Sequence, residues 1–285
     1  MTKENIMVSF SGGRTSAFMC HWLIENMSHL YNLHFTYANT GLEHEKTLEF
    51  VNKVDKFLNL KLTWIEAVIN PLKGIGTTYT VVDYETACRD NKLFKDMCAC
   101  YGLMNKTWMH CTRELKIQPM TAFANDYFGK NNYRQAIGIR FDEFKRVRQD
   151  PNKIYPLATI AKVIKQDVLE FWKKQPFDLE IEEHYGNCVG CYKKSDSKLK
   201  MIANENPHYF DPFIELENSY SNLKGPNEKD NRIIYRHYRT AYEVKNNLNL
   251  PESLSSKEEC AEECGTVDPA FESVPLELNL FNFAS

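Results

Sequence analysis

A short apolar run, Ile6-Met7-Val8-Ser9-Phe10, ends in Ser11-Gly12-Gly13-Arg14-Thr15-Ser16, and a helical repeat then begins over residues 15–26. That succession constrains the fold more than any other feature. A strand turning at once into a helix needs glycine at the joint, and the joint leaves the helix's first backbone N–H groups without intrahelical acceptors. Phe18 with Trp22 and Met19 with Leu23 stand one turn apart, giving the helix a wide apolar face. Residues 33–38 read as a second strand and 45–58 as a helix with Leu48, Val51, Val54, Phe57 and Leu58 on one side. Residues 61–67 read as a third strand. The alternation predicts an α/β fold with a doubly wound, mostly parallel sheet covered on both faces. A strand at 135–139 and a helix at about 162–174 continue the pattern, while residues 70–110 carry none that assigns them.

At 285 residues the chain can bury a full core without staples. A net charge of −3 gives no general affinity for nucleic acid, so any such contact has to be local. The charged start runs into a short strand rather than a long apolar stretch, and no segment approaches the roughly 20 apolar residues of a membrane span. Nine cysteines without an export signal are expected as reduced thiols, with metal binding or catalysis as their special uses. The expected location is cytoplasmic, with no membrane partner. The organisation expected is a nucleotide-binding domain over 1–215, a helical extension over 216–245 and an acidic tail over 246–285, mobile or loosely docked; the C-terminal region reads as helical and partly irregular.

The Gly-Gly joint suits a phosphate chain. Several N–H groups converge at a helix N-terminus, and the hydroxyls of Ser9, Ser11, Thr15 and Ser16 add donors. Arg14 either closes over the phosphates or faces solvent. The loop lacks the Gly-Lys-Ser/Thr ending of a Walker A motif and the spacing of a Rossmann dinucleotide site. It resembles the PP-loop, S-G-G-x-D/T-S, of the adenine nucleotide α-hydrolase superfamily, whose members cleave ATP between the α and β phosphates. That resemblance places the nucleoside against the end of the second strand, at Ala38, Asn39, Thr40 and Gly41.

Three further blocks narrow the resemblance. His110-Cys111-Thr112-Arg113-Glu114-Leu115-Lys116-Ile117-Gln118-Pro119 resembles the Cys-x-x-Arg-Lys-x-x-Pro segment of the phosphoadenosine phosphosulfate (PAPS) reductase family. Gly138-Ile139-Arg140-Phe141-Asp142-Glu143-Phe144-Lys145-Arg146, followed by Tyr155-Pro156-Leu157, is similar to that family's G-x-R-x-D-E-S-x-x-R stretch. Gly186-Asn187-Cys188-Val189-Gly190-Cys191-Tyr192-Lys193-Lys194-Ser195 is the third. In this order the blocks look especially like the PAPS reductase-like proteins of bacteriophages. Arg113, Lys116, Arg140 and Arg146 are cations at strand ends and helix starts, where such folds meet phosphate or sulfate. Arg140 leads this set, with Gly138 beside it, and Arg140 and Lys116 are the expected catalytic cations.

Cys188-x-x-Cys191 brings two thiolates within reach of one metal or cluster, with Gly190 permitting a tight turn. Cys111 joins them through the resemblance, since related adenylyl-sulfate reductases ligate a 4Fe–4S cluster with a Cys-Cys pair and a later Cys-x-x-Cys. Here the pair is His110-Cys111. Either Cys98, Cys100 or His110 supplies a fourth ligand, or three cysteines leave one iron open as in tRNA-thiolating relatives. An iron–sulfur cluster is preferred and zinc is the alternative. Cys20 and Cys88 read as packing residues. Glu263-Cys264-Gly265 in the tail resembles the catalytic Glu-Cys-Gly of sulfonucleotide reductases, and Cys260 lies one helical turn before it, although neighbouring glutamates would raise the Cys264 thiol pKa.

Three functional readings follow. The first is ATP with Mg²⁺, cleaved to form an adenylate and coupled to sulfur transfer; its motive is the intact loop, which sulfonucleotide reductases generally carry in degraded form. The second is reduction of PAPS or adenylyl sulfate with Cys264 as nucleophile. The third is a nucleotide-binding or sequestering protein without turnover. The acceptor is open, with tRNA or DNA among the candidates, and a thiol or sulfur donor protein is a further expected partner. Tyr235-Arg236-His237-Tyr238-Arg239-Thr240-Ala241-Tyr242, with Lys193-Lys194 and Lys198-Leu199-Lys200, reads either as a single-stranded nucleic-acid site or as a helix with one packed aromatic face.

Overall fold

The strand expected at 6–10 forms as β1 (Glu4–Ser9) in a computed structural model that describes residues 3–72, 75–223 and 231–248. It lies mid-sheet because both its faces are apolar. Ile6 and Val8 point into one core and Met7 into another. After it come α1 (Arg14–Met27), β2 (Tyr31–Ala38), α2 (Glu45–Leu58), β3 (Thr63–Ile69) and β4 (Thr77–Val82). Next are α3 (Lys92–Tyr101) and α4 (His110–Thr112), which passes through a π-helical turn (Arg113–Ile117) into α5 (Gln118–Phe128). Then follow β5 (Tyr133–Ala136), β6 (Lys153–Ile154), α6 (Pro156–Thr159), α7 (Lys165–Lys173), α8 (Asp196–Glu205), α9 (Asp211–Tyr220) and α10 (Ala241–Lys245). No helix among the described residues is long and apolar enough to cross a membrane.

The sheet order is β4-β3-β2-β1-β5-β6, parallel throughout except for β4, which pairs antiparallel with β3. The chain leaves β1 toward β2 and β3, then returns to its other side at β5. The strand order reverses there, and the crevice at the carboxyl ends of β1 and β5 is where open α/β sheets bind ligands.

Element bounds differ from expectation for local reasons. Asn59 and Lys61 adopt left-handed backbone, and Leu62 N–H donates to Asp55 Oδ1 at 3.0 Å, so β3 starts at Thr63 rather than 61. Lys162 is also left-handed, which delays α7 to Lys165. The strand expected at 135–139 closes at Ala136. Ile137 N–H still reaches Ile154 O, but Ile139 N–H turns back to Ile137 O at 2.9 Å and curls the chain toward α1.

Two cores meet at the site. One joins the sheet to α1, α2 and α7 through Leu23, Val51 and Trp172. The other joins α3, α8, α9 and α10 to the cysteine segment, packing Met97, Cys111, Cys191, Phe213, Tyr235 and Val244 together. A boundary between 215 and 216 would therefore cut α9 and this second core, and residues 231–245 belong to it rather than to an appendage. The tail beyond 248, with Cys260 and Cys264, lies outside the described residues.

Buried Glu217 on α9 fixes the C-terminal segment by accepting the N–H of Ile234 at 3.0 Å and of Ala241 at 2.6 Å. Burial pushes its carboxyl up to about 7 despite those donors. A folded-state pKa above the unfolded one means the protonated form is favoured by folding. This contribution is full below about pH 4.5 and is lost as pH rises through about 7. Urea unfolding should accordingly show wild type losing up to about 3 kcal/mol relative to Glu217→Gln between pH 4.5 and 8. Parallel pH profiles for the two proteins would contradict this assignment.

Candidate functional site

Gly12 takes φ +85°, and a Cβ there would stand 2.9 Å from Thr47 Cγ2, so glycine alone fits the turn between β1 and α1. Ser16 braces the turn from within. Its Oγ accepts Ser11 N–H at 3.1 Å, lies 2.9 Å from Ser11 Oγ and donates to Gly13 O at 3.0 Å. Gly13, the N-cap, makes no side-chain cap bond, which leaves the opening amides of a 14-residue helix facing a cavity of about 380 Å³. Ser11, Gly12, Gly13, Arg14 and Thr15 line one wall. The second wall comes from Arg140 and the segment running from Leu179 to Lys198, including Asn187, Cys191, Lys193 and Lys194.

Arg140 arrives from β5 across Gly138, where a Cβ would come within 3.2 Å of Ser16 Cα. It is nearly buried, donates to Thr15 Oγ1 at 3.0 Å and is backed by Asp142 Oδ1 at 3.0 Å. Its charge is thus held at the helix start. Arg14 behaves differently: its guanidinium forms a two-point contact with Asp178, at 2.7 and 3.0 Å, and also bonds Leu179 O. This side chain ties α1 to the facing wall while lining the cavity. Lys165 and Lys198 bond opposite oxygens of Glu183 at 3.1 and 2.7 Å, and Lys193 Nζ donates to Thr112 Oγ1 at 3.0 Å. Lys194 is buried and donates to His184 O and Gly186 O, shaping the segment before the cysteines.

A second, smaller cavity adjoins the first. Cys111, Cys188, Cys191, Lys116 and Thr40 line it with Met104, Tyr192 and aromatic rings. Residues five apart on an α-helix face away from each other, yet Cys111 and Lys116 share this cavity because the π-helical turn is wider. The Cys188 loop is pinned to the chain after β2 by a bridge to Glu43 and by Val189 N–H to Leu42 O at 3.0 Å. Gly190 serves close packing more than turning: a Cβ would sit 2.3 Å from the Phe213 ring. Burial, then the Glu43 carboxylate, push the Cys188 thiol well above its usual pKa, a cost that ligation of a metal removes. Soft sulfur donors in apolar surroundings fit an iron–sulfur cluster or zinc.

The family model for the phosphoadenosine phosphosulfate reductase domain matches residues 5–165. The chain belongs to that family. It is also 39% identical over 234 residues to the uncharacterized nin region protein ORF290 of Escherichia phage lambda, covering 81% of this chain and 80% of the relative. PAPS reductase domains are generally enzymes, and this one has their PP-loop α/β architecture.

Within this PAPS reductase-like fold the expected residues divide. Ser11, Gly12, Gly13, Thr15 and Arg140 meet at the loop cavity, and Cys111, Cys188, Cys191 and Lys116 meet at the thiol cavity. Ser9 accepts from Gln135 at 2.7 Å, and Arg146 bonds Glu143. Arg113 pairs with buried Glu114, its guanidinium 5.4 Å over the Tyr101 ring. At the stretch expected to face a nucleoside, Asn39 Nδ2 donates to Glu66 Oε1 and Cys88 O, Thr40 bonds Glu43 and lines the thiol cavity, and Ala38 packs toward α5. Gly41, at φ +89°, allows the close approach of Asp90 O. Among the fourth-ligand candidates, Cys100 Sγ points to Asn70 O and His110 stacks on Trp108. Cys98 is buried beside Cys111, its thiol pushed up to about 12 by burial and then by Cys111.

Lys165, Lys198, Thr47 and Asn187 were not marked as cavity residues by sequence. Lys193 and Lys194, one residue beyond Cys-x-x-Cys, carry the signal nearest to it. Because charge-assisted bonds are worth about 1.5–3 kcal/mol, Arg140→Ala should weaken pyrophosphate binding about tenfold or more in calorimetry, with the fold retained. Gly12→Ala should reduce it at least as far. Unchanged affinity in Arg140→Ala would remove this arginine from the anion site.

Proposed function

We propose that the protein binds ATP with Mg²⁺ at the loop cavity, cleaves it between the α and β phosphates and couples the adenylate to sulfur transfer at the adjoining cysteines. The observation that carries this reading is Cys191, which lines both cavities. Phosphate chemistry and sulfur chemistry thereby share a wall.

The opening amides of α1 and the Arg140 guanidinium would hold the phosphates, and Mg²⁺ would offset the triphosphate charge. Lys193, steadied by Thr112, stands between the phosphate side and the thiols. An acceptor oxygen attacking the α phosphorus releases pyrophosphate, and a sulfur nucleophile then displaces AMP. Cys111, Cys188 and Cys191 would hold an iron–sulfur cluster that supplies sulfur or electrons when bound, with Lys116 as the neighbouring cation. Zinc fits less well. Sulfurs about 2.3 Å from one ion lie roughly 4 Å apart, whereas among the described residues the trio of ligand-type groups with donor atoms within 4.8 Å is Glu182, His184 and Glu205 and not the cysteines. That trio is accounted for as ion pairs joining His184 to both carboxylates.

Anaerobically purified protein is expected to contain iron and sulfide, and Cys191→Ser to lose both while still binding ATP in calorimetry. Pyrophosphate should appear with ATP, Mg²⁺ and a panel of tRNA, DNA and small-molecule acceptors. Sulfite from PAPS or adenylyl sulfate instead would favour the reductase. Tight ATP or AMP binding with no product from any arm would leave a nucleotide-sequestering protein.

A further inference from the structure

We infer that the turn Arg236–Tyr238 is a stacking platform for a base of single-stranded nucleic acid, set beside the mouth of the loop cavity. The platform deepens the proposed reaction by naming the class of acceptor, and it rests on that reading for its purpose but not for binding.

The turn is built on a fixed base. Tyr235 is buried and donates its OH to Gly190 O at 2.6 Å, inside the cysteine loop. Arg236 Nη2 donates to Lys193 O at 2.9 Å, and buried Arg239 pairs with buried Asp196. Between these anchors the backbone departs from the usual regions, with His237 at φ +57° and Tyr238 at φ +55°. Two successive non-glycine residues in left-handed backbone are unfavourable, and their sequence offers no glycine or asparagine to ease it. The result is a Tyr238 ring that is 89% exposed, with Tyr242 59% exposed one turn later. The backbone of the turn fixes where the Tyr238 side chain leaves the surface, and the ring is open to a ligand on both faces.

The surroundings choose the partner. Arg236 is joined to Lys193 O, and Lys193 and Lys198 line the loop cavity, with Lys198 bonded to Glu183; Lys194 and Arg239 are buried and bonded internally. Separate exposed rings among cations do not make the contiguous apolar patch of a protein interface. They do match the pairing of stacking surfaces with backbone charge that single strands use. A duplex keeps its bases inside the stack and presents no free face to Tyr238.

Fluorescence anisotropy with labelled mixed-sequence RNA and DNA oligonucleotides tests this, each offered single-stranded and as duplex. Single strands should bind, with affinity falling as salt rises. Tyr238→Ala should weaken binding about 5- to 100-fold, the range for loss of one stacked base, while Tyr238→Phe keeps it within about twofold. ATP affinity, measured by calorimetry on the same proteins, should not change in either variant. Equal binding of duplex, indifference to Tyr238→Ala, or no binding at low salt would overturn the platform; the last would leave a protein contact as its use. Lost ATP binding with oligonucleotide binding preserved would remove the proposed reaction and leave the platform standing.

Discussion

The opening amides of α1 have no acceptor within the helix, and the nearby structure is organised around that deficit. A helix start buried in a crevice is unfavourable unless something satisfies it. Here the chain keeps the start rigid and open. Ser16 braces the turn, Trp172 Nε1 donates to Arg14 O at 3.0 Å, and Arg14 is held by Asp178 on the opposite wall. Gly138 lets β5 approach close enough to deliver Arg140. An anion entering such a site meets donors already in place, so little binding energy is spent on ordering.

The same geometry couples the two cores. Residues 231–245 grip the cysteine loop through Tyr235 and Arg236, and Glu217 grips residues 231–245 in turn. The cysteine loop then presents Cys191 to both cavities. A disturbance on α9 therefore reaches the thiols through the two bonds to the Glu217 carboxylate and the Tyr235 and Arg236 contacts, a short path of packed groups rather than a long-range effect. Position along the chain hides this, because Glu217 and Gly190 are far apart in sequence.

The sheet half was legible because its signals are periodic. Apolar residues run on in β1 and recur by helical turns in α1 and α2, so their elements and the phosphate-type loop could be read directly. The stretch 70–110 was not, although α3 has a plain buried stripe of Leu93, Phe94, Met97 and Cys98. Cys98 in that stripe packs in the second core together with Cys111, Cys188 and Cys191. The π-helical turn has no sequence signature, so the shared facing of Cys111 and Lys116 was not legible in the sequence. Arg14 and Arg140 are equal as letters; what separates them is that Asp178 lies across the cleft from one and Thr15 beside the other. The stretch 235–242 is not the single helix of one reading, since a turn at Arg236–Tyr238 precedes α10; Tyr235 and Arg239 are packed while Tyr238 and Tyr242 stand in solvent.

The carboxylates around the loop cavity carry a further consequence. Asp142 backs Arg140, Asp178 holds Arg14, and Glu183 binds Lys165 and Lys198 together. These pairs keep several cations in position without leaving bare positive charge near the apolar walls. A phosphate chain that recruits Lys165 and Lys198 has to compete with Glu183, an exchange of one carboxylate for phosphate oxygens. A singly charged anion gains little by that exchange, because it replaces like with like. A di- or triphosphate adds charge and extra acceptor oxygens while the helix amides engage another part of the same molecule, and the exchange becomes favourable. On the proposed reading, the arrangement would discriminate by charge and length of the phosphate chain before any contact with a base is needed.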